Sequence, residues 1–201
     1  MKSEKGLIYI FTGDGKGKTS AALGVSLRML LLGKRVEWIS WYKSKDWQIS
    51  EKLLDGKFRG KIKMYWIGKG FYIKKGKEVT AGSKRIKVAD VGRSKVIDDN
   101  SLENHSESAK KGLSLTEKIL KRNIGRPDLL VMDELINAVN DNLVKLNDVL
   151  SIIKKRGQTN LILTGRGCPE GLIASADLVS EIKKIKHPFD VGKLAVRGLD
   201  Y

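Results

Sequence analysis

A glycine-rich loop lies between a strand pattern and a helix pattern near the start of the chain. Residues 6–13 read GLIYIFTG, a continuous apolar run typical of a strand buried inside a parallel sheet. Residues 19–33 place apolar side chains at helical spacing and end on a glycine suited to cap a helix. A loop at this position can turn its backbone N–H groups toward an anion, because the helix start adds partial positive charge. The segment therefore predicts a phosphate site on an α/β fold.

The loop itself is close to the phosphate-binding pattern G-x-x-x-x-G-K-[ST]. Gly17, Lys18 and Thr19 supply the end of the pattern, but its first glycine would fall at Thr12, so the loop is one residue tighter. Lys18 can neutralise phosphate oxygens, and the Thr19 hydroxyl can ligate Mg²⁺. The residues expected to bind ATP are Gly13, Asp14, Gly15, Lys16, Gly17, Lys18, Thr19 and Ser20.

Strand and helix patterns alternate along most of the chain, which predicts a doubly wound, mainly parallel α/β sheet of the phosphate-loop nucleoside triphosphatase type. Further strands are predicted at 35–42, 61–68, 128–135, 160–164 and 178–186, and further helices at 45–55, 104–123 and 142–156. We expect one domain over residues 1–201, with a basic excursion at about 69–103. The excursion has no sustained period and could form a small hairpin or a mobile flap.

A second motif, which is acidic, lies at the end of the predicted strand at 128–135. The strand reads DLLVMDEL. Asp133 and Glu134 stand where the carboxyl end of that strand would meet the phosphate loop. Carboxylates at this place are within reach of a metal ion bound to phosphates. Alone, the pair could equally be a helix cap followed by a solvated glutamate; beside the loop, it predicts a metal site.

The charge of the chain favours an anionic partner but does not identify it. The formal net charge is +16, and residues 69–95 hold nine Lys or Arg against two acids, a surplus of seven. A lysine-rich solvated surface explains such a surplus, and the alternating aromatic and basic residues of a base-stacking platform are missing from the sequence. Nucleic acid is therefore a disfavoured partner. The single cysteine, Cys168, and the lack of a membrane-length apolar run or signal peptide predict a cytoplasmic protein without a membrane partner.

Three separated motifs resemble the ATP:corrinoid adenosyltransferase family. The first is TGDGKGKTSAALG at 12–24 with Arg28 beyond it, and the second is VMDEL at 131–135. The third is the closing stretch, with TGRG at 164–167, ADLVSE at 176–181, KHPFD at 186–190 and a final GLDY. The motifs stand in the family's order and cover most of the chain, with 74–103 as the main gap.

The resemblance implies transfer of the 5′-deoxyadenosyl group of ATP to the cobalt(I) of a reduced corrinoid, with release of triphosphate, in adenosylcobalamin biosynthesis or salvage. The corrinoid would be cobalamin, cobinamide or an a,c-diamide precursor. Implied partners are an electron-donating reductase or flavoprotein and a second copy in a homodimer. The resemblance gives roles in the reaction to Lys18, Thr19, Arg28, Glu134 and Arg166, and it places Mg²⁺ at Thr19 with Asp133 or Glu134.

The resemblance also implies a corrinoid-facing aromatic pair within GFYI at 70–73. Such rings displace the lower axial ligand of cobalt, which leaves cobalt(II) easier to reduce. Phe71 matches the first aromatic position, whereas the second falls on Ile73, with Tyr72 between them. Ile73 can exclude water but cannot stack. These three residues are the expected corrinoid contacts.

Two other functions fit parts of the sequence. A nucleic-acid-dependent phosphate-loop ATPase would explain the charge but not the closing motifs. A non-catalytic regulator that binds ATP and corrinoid would explain the motifs without turnover. The product distinguishes the three, because they would give triphosphate, diphosphate with phosphate, or no product.

Overall fold

The computed structural model describes residues 4–70, 72–74, 77–81, 84–91 and 94–200. The strands in these ranges are β1 Ile8–Thr12, β2 Val36–Ser40, β3 Ile62–Trp66, β4 Lys77–Ala81, β5 Lys84–Val91, β6 Ser94–Asp98, β7 Leu129–Asp133, β8 Asn160–Thr164 and β9 Leu178–Glu181. The helices are α1 Lys18–Leu31, α2 Leu53–Lys57, α3 Leu102–Leu120, α4 Leu135–Asn140, α5 Leu146–Ile153 and α6 Glu170–Ile173, with short 3₁₀ turns at Ser50–Lys52 and Pro188–Val191.

A six-stranded sheet with the order β3-β2-β7-β8-β1-β9 forms the centre of the fold. Its neighbouring strands pair in parallel, as in Ile8 opposite Leu161 and Val36 opposite Leu129. Helices bury both faces of this sheet. The fold class predicted from the alternation of patterns is therefore confirmed.

The two faces of the sheet carry separate apolar cores. On β1, Ile8 and Ile10 pack into the core beneath α3, α4 and α5, whereas Phe11 packs with residues of α1 on the opposite face. Alternate side chains of a strand point to opposite faces, so a strand covered on both sides is mostly apolar along its whole length. This explains why the buried strands could be recognised as continuous apolar runs.

Several predicted boundaries were wrong where polar side chains or positive φ angles interrupt a pattern. The helix predicted at 45–55 begins only at the Ser50–Lys52 turn, because the Ser44 hydroxyl accepts the backbone N–H of Asp46 and forms a local turn instead. The strand predicted to reach residue 135 ends at Asp133, since Glu134 has φ 62 and Leu135 begins α4. The helix predicted at 142–156 begins only at Leu146 as α5, because Asn142, with φ 58, lies in the link that precedes it.

The basic excursion contains a second, antiparallel sheet of strand order β4-β5-β6. Of the two alternatives, hairpin or flap, these described residues follow the hairpin pattern, with Val79 opposite Ile86 and Val88 opposite Ile97. Because β2, β7, β8 and β1 are parallel neighbours, their carboxyl ends lie at the same edge of the large sheet. No helix within the described ranges is long and apolar enough to cross a membrane.

Candidate active site

A cavity of about 890 Å³ lies at the carboxyl ends of the parallel strands. Residues 14–20 of the glycine-rich loop form one wall, and Glu134 and Arg166 form another. The last described residues of the chain, Gly198, Leu199 and Asp200, form a third wall. In open parallel sheets this edge is where ligands bind, so the cavity is the candidate active site.

Close contact with the end of β9 fixes the conformation of the glycine-rich loop. The backbone N–H of Gly15 donates to the Ile182 carbonyl at 2.8 Å, and a Cβ on Gly15 would lie 2.7 Å from that carbonyl oxygen. Gly17 adopts φ 118 immediately before α1, a conformation that a side chain would strain. Glycine is therefore required at both positions for the loop to reach the helix start.

Lys18 directly follows the last glycine of the loop, and its ammonium group could exchange its present hydrogen-bond acceptor for a phosphate oxygen. Its Nζ donates to the carbonyl of Gly15 at 2.6 Å, which is a neutral acceptor. Burial lowers the pKa of Lys18, and the nearby positive charge of Arg166 lowers it further. A phosphate oxygen would relieve both effects, because it brings negative charge to a partly desolvated ammonium group.

Asp133 is fully buried and has both carboxylate oxygens in use. Its Oδ1 accepts the hydroxyls of Thr19 at 3.0 Å and Thr164 at 2.9 Å. Its Oδ2 accepts from the Ser40 hydroxyl at 3.3 Å and from the Lys43 ammonium at 3.2 Å. The side chain does not line the cavity, so it acts on the site through Thr19 and Lys43.

Glu134 faces the cavity directly. Its backbone takes φ 62, and its N–H donates to Thr164 Oγ1 at 2.8 Å, which fixes the turn between β7 and α4. Burial raises the pKa of the Glu134 carboxyl to about 7, and the negative charge of Asp133 contributes to the rise. A cation near Glu134 would reverse this effect, because it stabilises the charged form.

Arg166 is positioned through its backbone by α4. Its N–H donates to Asn137 Oδ1 at 2.7 Å, and its carbonyl accepts from Asn140 Nδ2 at 2.6 Å. Gly165 precedes it with φ 148, and a Cβ there would lie 2.6 Å from Ile136 Cβ. The TGRG motif therefore packs its backbone against α4 and leaves the Arg166 side chain to line the cavity.

The cavity wall carries both signs of charge in equal number among the described residues. The basic side chains are Lys16, Lys18, Lys43, Arg166 and Lys184, and the acidic ones are Asp14, Glu51, Glu134, Asp190 and Asp200. Lys16 pairs with Asp200 and Lys184 with Asp190, so residues near the carboxyl end of the described chain neutralise part of the site.

Most predicted nucleotide and metal residues meet at this cavity. The loop from Asp14 to Ser20, with Glu134 and Arg166, lines it. Gly13 lies behind the loop, where a Cβ would be 2.3 Å from the Ile182 carbonyl oxygen. Arg28 is exposed in the last turn of α1 and is absent from the described lining of the cavity.

The predicted corrinoid residues lie apart from this cavity or outside the described residues. Phe71 belongs to the latter group. Tyr72 packs its ring against that of His105, with centroids 5.0 Å apart, and Ile73 is 7% exposed. The Asp98 carboxylate accepts the backbone N–H of Ile73 at 3.0 Å and the His105 ring N–H at 2.8 Å. Asp98 and His105 therefore hold the segment that carries the predicted corrinoid contacts.

Lys43, Glu51 and Asp200 are site residues that the sequence patterns missed. Lys43 follows β2, and the rule that ligands bind beyond the carboxyl ends of parallel strands could have drawn attention to it. Asp200 belongs to the GLDY motif, but nothing in that motif indicates contact with Lys16. Burial raises the pKa of the Cys168 thiol to about 11, so its unreactive protonated form predominates at neutral pH.

The glycine-rich loop, the acidic residue after β7 and the parallel sheet define a phosphate-loop, nucleotide-binding α/β protein. Residues 4–201 match the model of the family described as "ATP:corrinoid adenosyltransferase BtuR/CobO/CobP". The chain therefore belongs to the ATP:corrinoid adenosyltransferase family, and it is an enzyme of that activity, as its motifs predict.

Curated relatives agree with this assignment over the whole of this chain and most of their own length. The chain is 30% identical to the corrinoid adenosyltransferase CobA of Salmonella typhimurium, over 100% of this chain and 88% of that protein. It is 28% identical to the corrinoid adenosyltransferase of Escherichia coli, with the same two coverages of 100% and 88%. For the corrinoid adenosyltransferase of Pseudomonas aeruginosa the identity is 26%, over 100% of this chain and 86% of the relative. Neither of the other two candidate functions gains support from these relatives.

Proposed function

We propose that the chain uses its glycine-rich loop to bind the triphosphate of ATP while the cobalt(I) of a corrinoid attacks the ribose C5′. A cobalt–carbon bond forms, the C5′–oxygen bond breaks, and the triphosphate leaves with the electron pair. The observation that carries this proposal is that residues 14–20, Glu134 and Arg166 line the same cavity. Displacement at carbon needs alignment and charge neutralisation rather than a general base.

Lys16, Lys18 and Arg166 would neutralise the departing triphosphate. Lys18 is the most important of the three, because its Nζ is partly buried and, among the described residues, has the neutral carbonyl of Gly15 as its hydrogen-bond partner. Arg28, predicted from the resemblance, would need a nucleotide that extends along α1 to reach it. Its proposed role is therefore weaker than that of Arg166, which already lines the cavity.

Mg²⁺ is the proposed metal, and Glu134 and Thr19 are its proposed ligands. Asp133 would support this site indirectly, since its oxygens already accept four protein donors. The described residues contain no cluster of three His, Cys, Asp or Glu side chains that could hold a metal. Mg²⁺ commonly binds through one or two carboxylates and the phosphates of its substrate, so the oxygen donors present fit it. When bound, it would neutralise part of the triphosphate charge.

Phe71, Tyr72 and Ile73 remain the proposed corrinoid contacts. Their segment is tied to α3 by Asp98 and His105 and to α4 by Lys74, whose ammonium pairs with Asp141 at 3.0 Å. A segment fixed on two sides could present an aromatic ring to a flat macrocycle. The proposed corrinoids are cobalamin, cobinamide or an a,c-diamide precursor.

We further propose a cytoplasmic homodimer that receives electrons from a reductase or flavoprotein. The single cysteine supports a reducing compartment. The proposed domain organisation is one domain over residues 1–201, with the excursion at about 69–103 as part of it.

The deciding experiment is incubation with ATP, Mg²⁺ and a chemically reduced corrinoid. The expected products are triphosphate and a light-sensitive cobalt–carbon bond. Release of diphosphate and phosphate would instead indicate an ATPase, and binding of both ligands without a product would indicate a regulator. Omitting Mg²⁺ should reduce the rate, and the same rate without it would refute the proposed metal.

A further inference from the structure

Lys43 lies between two carboxylates just beyond the end of β2. Its Nζ is 3.2 Å from Asp133 Oδ2 and 3.0 Å from Glu51 Oε1. The side chains of Lys43, Glu51 and Asp133 are 14%, 9% and 0% exposed. A cation held this way is far from a freely solvated surface lysine, and it contacts the carboxylate that holds Thr19.

The contacts of Asp133 connect Lys43 to the phosphate loop. Lys43 and Ser40 hold one carboxylate oxygen, and the other accepts the Thr19 hydroxyl. Rotation of the carboxylate would break contacts on both sides, so the donors on Oδ2 fix where Oδ1 receives Thr19. Lys43 supplies the charged donor of that set, which makes its hydrogen bond the stronger one.

The burial of the Glu51 side chain is difficult to explain by a gain in the stability of the fold. Its Oε2 is the buried side-chain oxygen that lacks a hydrogen-bond partner within the described ranges. A buried acceptor without a partner destabilises a fold, and such groups call for a functional explanation. The other carboxylate oxygen of Glu51, Oε1, accepts from Lys43. The burial of Glu51 therefore serves to fix the Lys43 ammonium group beside Asp133.

The charge state of Lys43 suits such a role. Burial acts to lower the pKa of its ammonium group, but the carboxylates of Asp133, Glu51 and Glu134 outweigh it and raise the pKa above its ordinary value. Lys43 therefore stays charged at every pH at which the protein works.

We propose that Lys43, held by Glu51, is a positioning residue that fixes the Asp133 carboxylate and, through it, the Thr19 hydroxyl at the metal–triphosphate site. This inference rests on the proposed role of Mg²⁺. Lys43 would strengthen nucleotide binding mainly when the metal is present, and it would not contact the phosphates itself. Partners that orient the ligands of a metal typically contribute about 10- to 100-fold in metal affinity.

The test is the affinity for ATP without corrinoid, measured by titration calorimetry with and without Mg²⁺. The ratio of the two dissociation constants gives the tightening that Mg²⁺ provides. Lys43→Met should lower this ratio by about 10- to 100-fold. Binding of metal-free ATP should weaken by a smaller factor, because Lys43 is also one of the positive charges that line the cavity. Glu51→Gln should lower the ratio less, because its amide oxygen still accepts from Lys43. Lys43→Arg should restore part of it.

Glu37→Gln is the matched control. Glu37 lies on β2, is 4% exposed, pairs with Arg122 and accepts from the Tyr65 hydroxyl at 2.9 Å. This control removes a buried charge from the same strand without touching Asp133, so it should lower the melting temperature and preserve the ratio.

Four results would overturn the inference. An unchanged ratio in Lys43→Met, with a lowered melting temperature, would make Lys43 a purely structural residue. Equal losses with and without Mg²⁺ would mean that Lys43 contacts phosphate directly. If Lys43→Met does not fold, an unchanged ratio in Glu51→Gln would be decisive against it. Absence of any Mg²⁺ effect in the wild type would refute the proposed metal as well.

Discussion

Replacement of Asp98 by alanine should loosen the segment that carries the proposed corrinoid contacts. Asp98 is 3% exposed and joins β6 to this segment and to α3. It accepts the backbone N–H of Ile73 at 3.0 Å and the ring N–H of His105 at 2.8 Å. Both donors belong to buried residues, so water cannot readily replace the lost carboxylate.

The expected magnitude follows from these two donors. A buried donor left without a partner costs about 1–3 kcal/mol, so Asp98→Ala should lower the free energy of unfolding by about 2–6 kcal/mol. In a protein of this size each kcal/mol lowers Tm by about 2–4 °C. The middle values of these two ranges together give a fall in Tm of about 12 °C.

Asp98→Ala should weaken the binding of corrinoid and leave the binding of ATP unaffected. Tyr72 packs against His105, and His105 loses its carboxylate partner in the variant. The KM for corrinoid should therefore rise, whereas the KM for ATP should stay near the wild-type value because the cavity at residues 14–20 is untouched. Thermal unfolding and initial rates of adenosylation, with each substrate varied in turn, measure both effects.

Asp99→Ala is the control for this prediction. Asp99 is the exposed neighbour of Asp98, and its carboxylate accepts from the Asn100 side chain at the surface. This variant should change Tm and both KM values little. If Asp98→Ala lowers Tm no more than Asp99→Ala does, or raises the two KM values by the same factor, the reasoning is refuted.

Three further variants test other parts of the molecule. Lys18→Ala should lower the rate of adenosylation by about a hundredfold or more, because it removes a fixed charge from the leaving triphosphate. A near-normal rate would refute the assignment of the loop. Gly112→Ala should lower the free energy of unfolding by about 1–3 kcal/mol in a denaturant titration, because overpacking strains a core. Its Cβ would lie 2.2 Å from Ile67 Cδ1 and 2.8 Å from the Trp41 ring, and unchanged stability would contradict this packing. Phe71→Ala should fail with a weak biological reductant but recover much of its rate with cobalt(I) made beforehand. Equal loss under both conditions would indicate a structural role.

The sequence predicted those parts of the fold in which every side chain of an element obeys one pattern. The bounds of β8, residues 160–164, were predicted correctly, since all but its first residue are buried and apolar or small. The start of α4 was missed. Leu135 and Ile136 are fully buried in the helix, but their apolar character continues that of β7, and only the φ of 62 at Glu134 separates the two elements. A positive φ at a residue other than glycine leaves no trace in a hydrophobic pattern.

The site was predictable where a motif is local and unpredictable where distant residues meet. Residues 14–20 are contiguous, so their similarity to the phosphate-binding pattern can be recognised from the sequence alone. The pairing of Lys16 with Asp200 joins residues 184 positions apart, and no spacing rule relates them. Lys43 reaches Asp133 only because β2 and β7 are neighbours in the sheet. The order of the strands therefore had to be known before these contacts could be found.

The balance of charge at the cavity explains how a site lined by equal numbers of acids and bases can hold a triphosphate. Lys16 would have to exchange the carboxylate of Asp200 for a phosphate oxygen, so one charge-assisted hydrogen bond would replace another and the net gain would be small. Lys18 and Arg166 differ, because neither has a carboxylate within ion-pair distance in the described parts of the chain. Their positive charges also repel each other. The pKa of Lys18 is lowered mainly by burial and, as the next largest cause, by the charge of Arg166. An incoming polyanion would relieve that repulsion and supply a countercharge, so we expect these two residues to provide most of the electrostatic driving force for binding ATP.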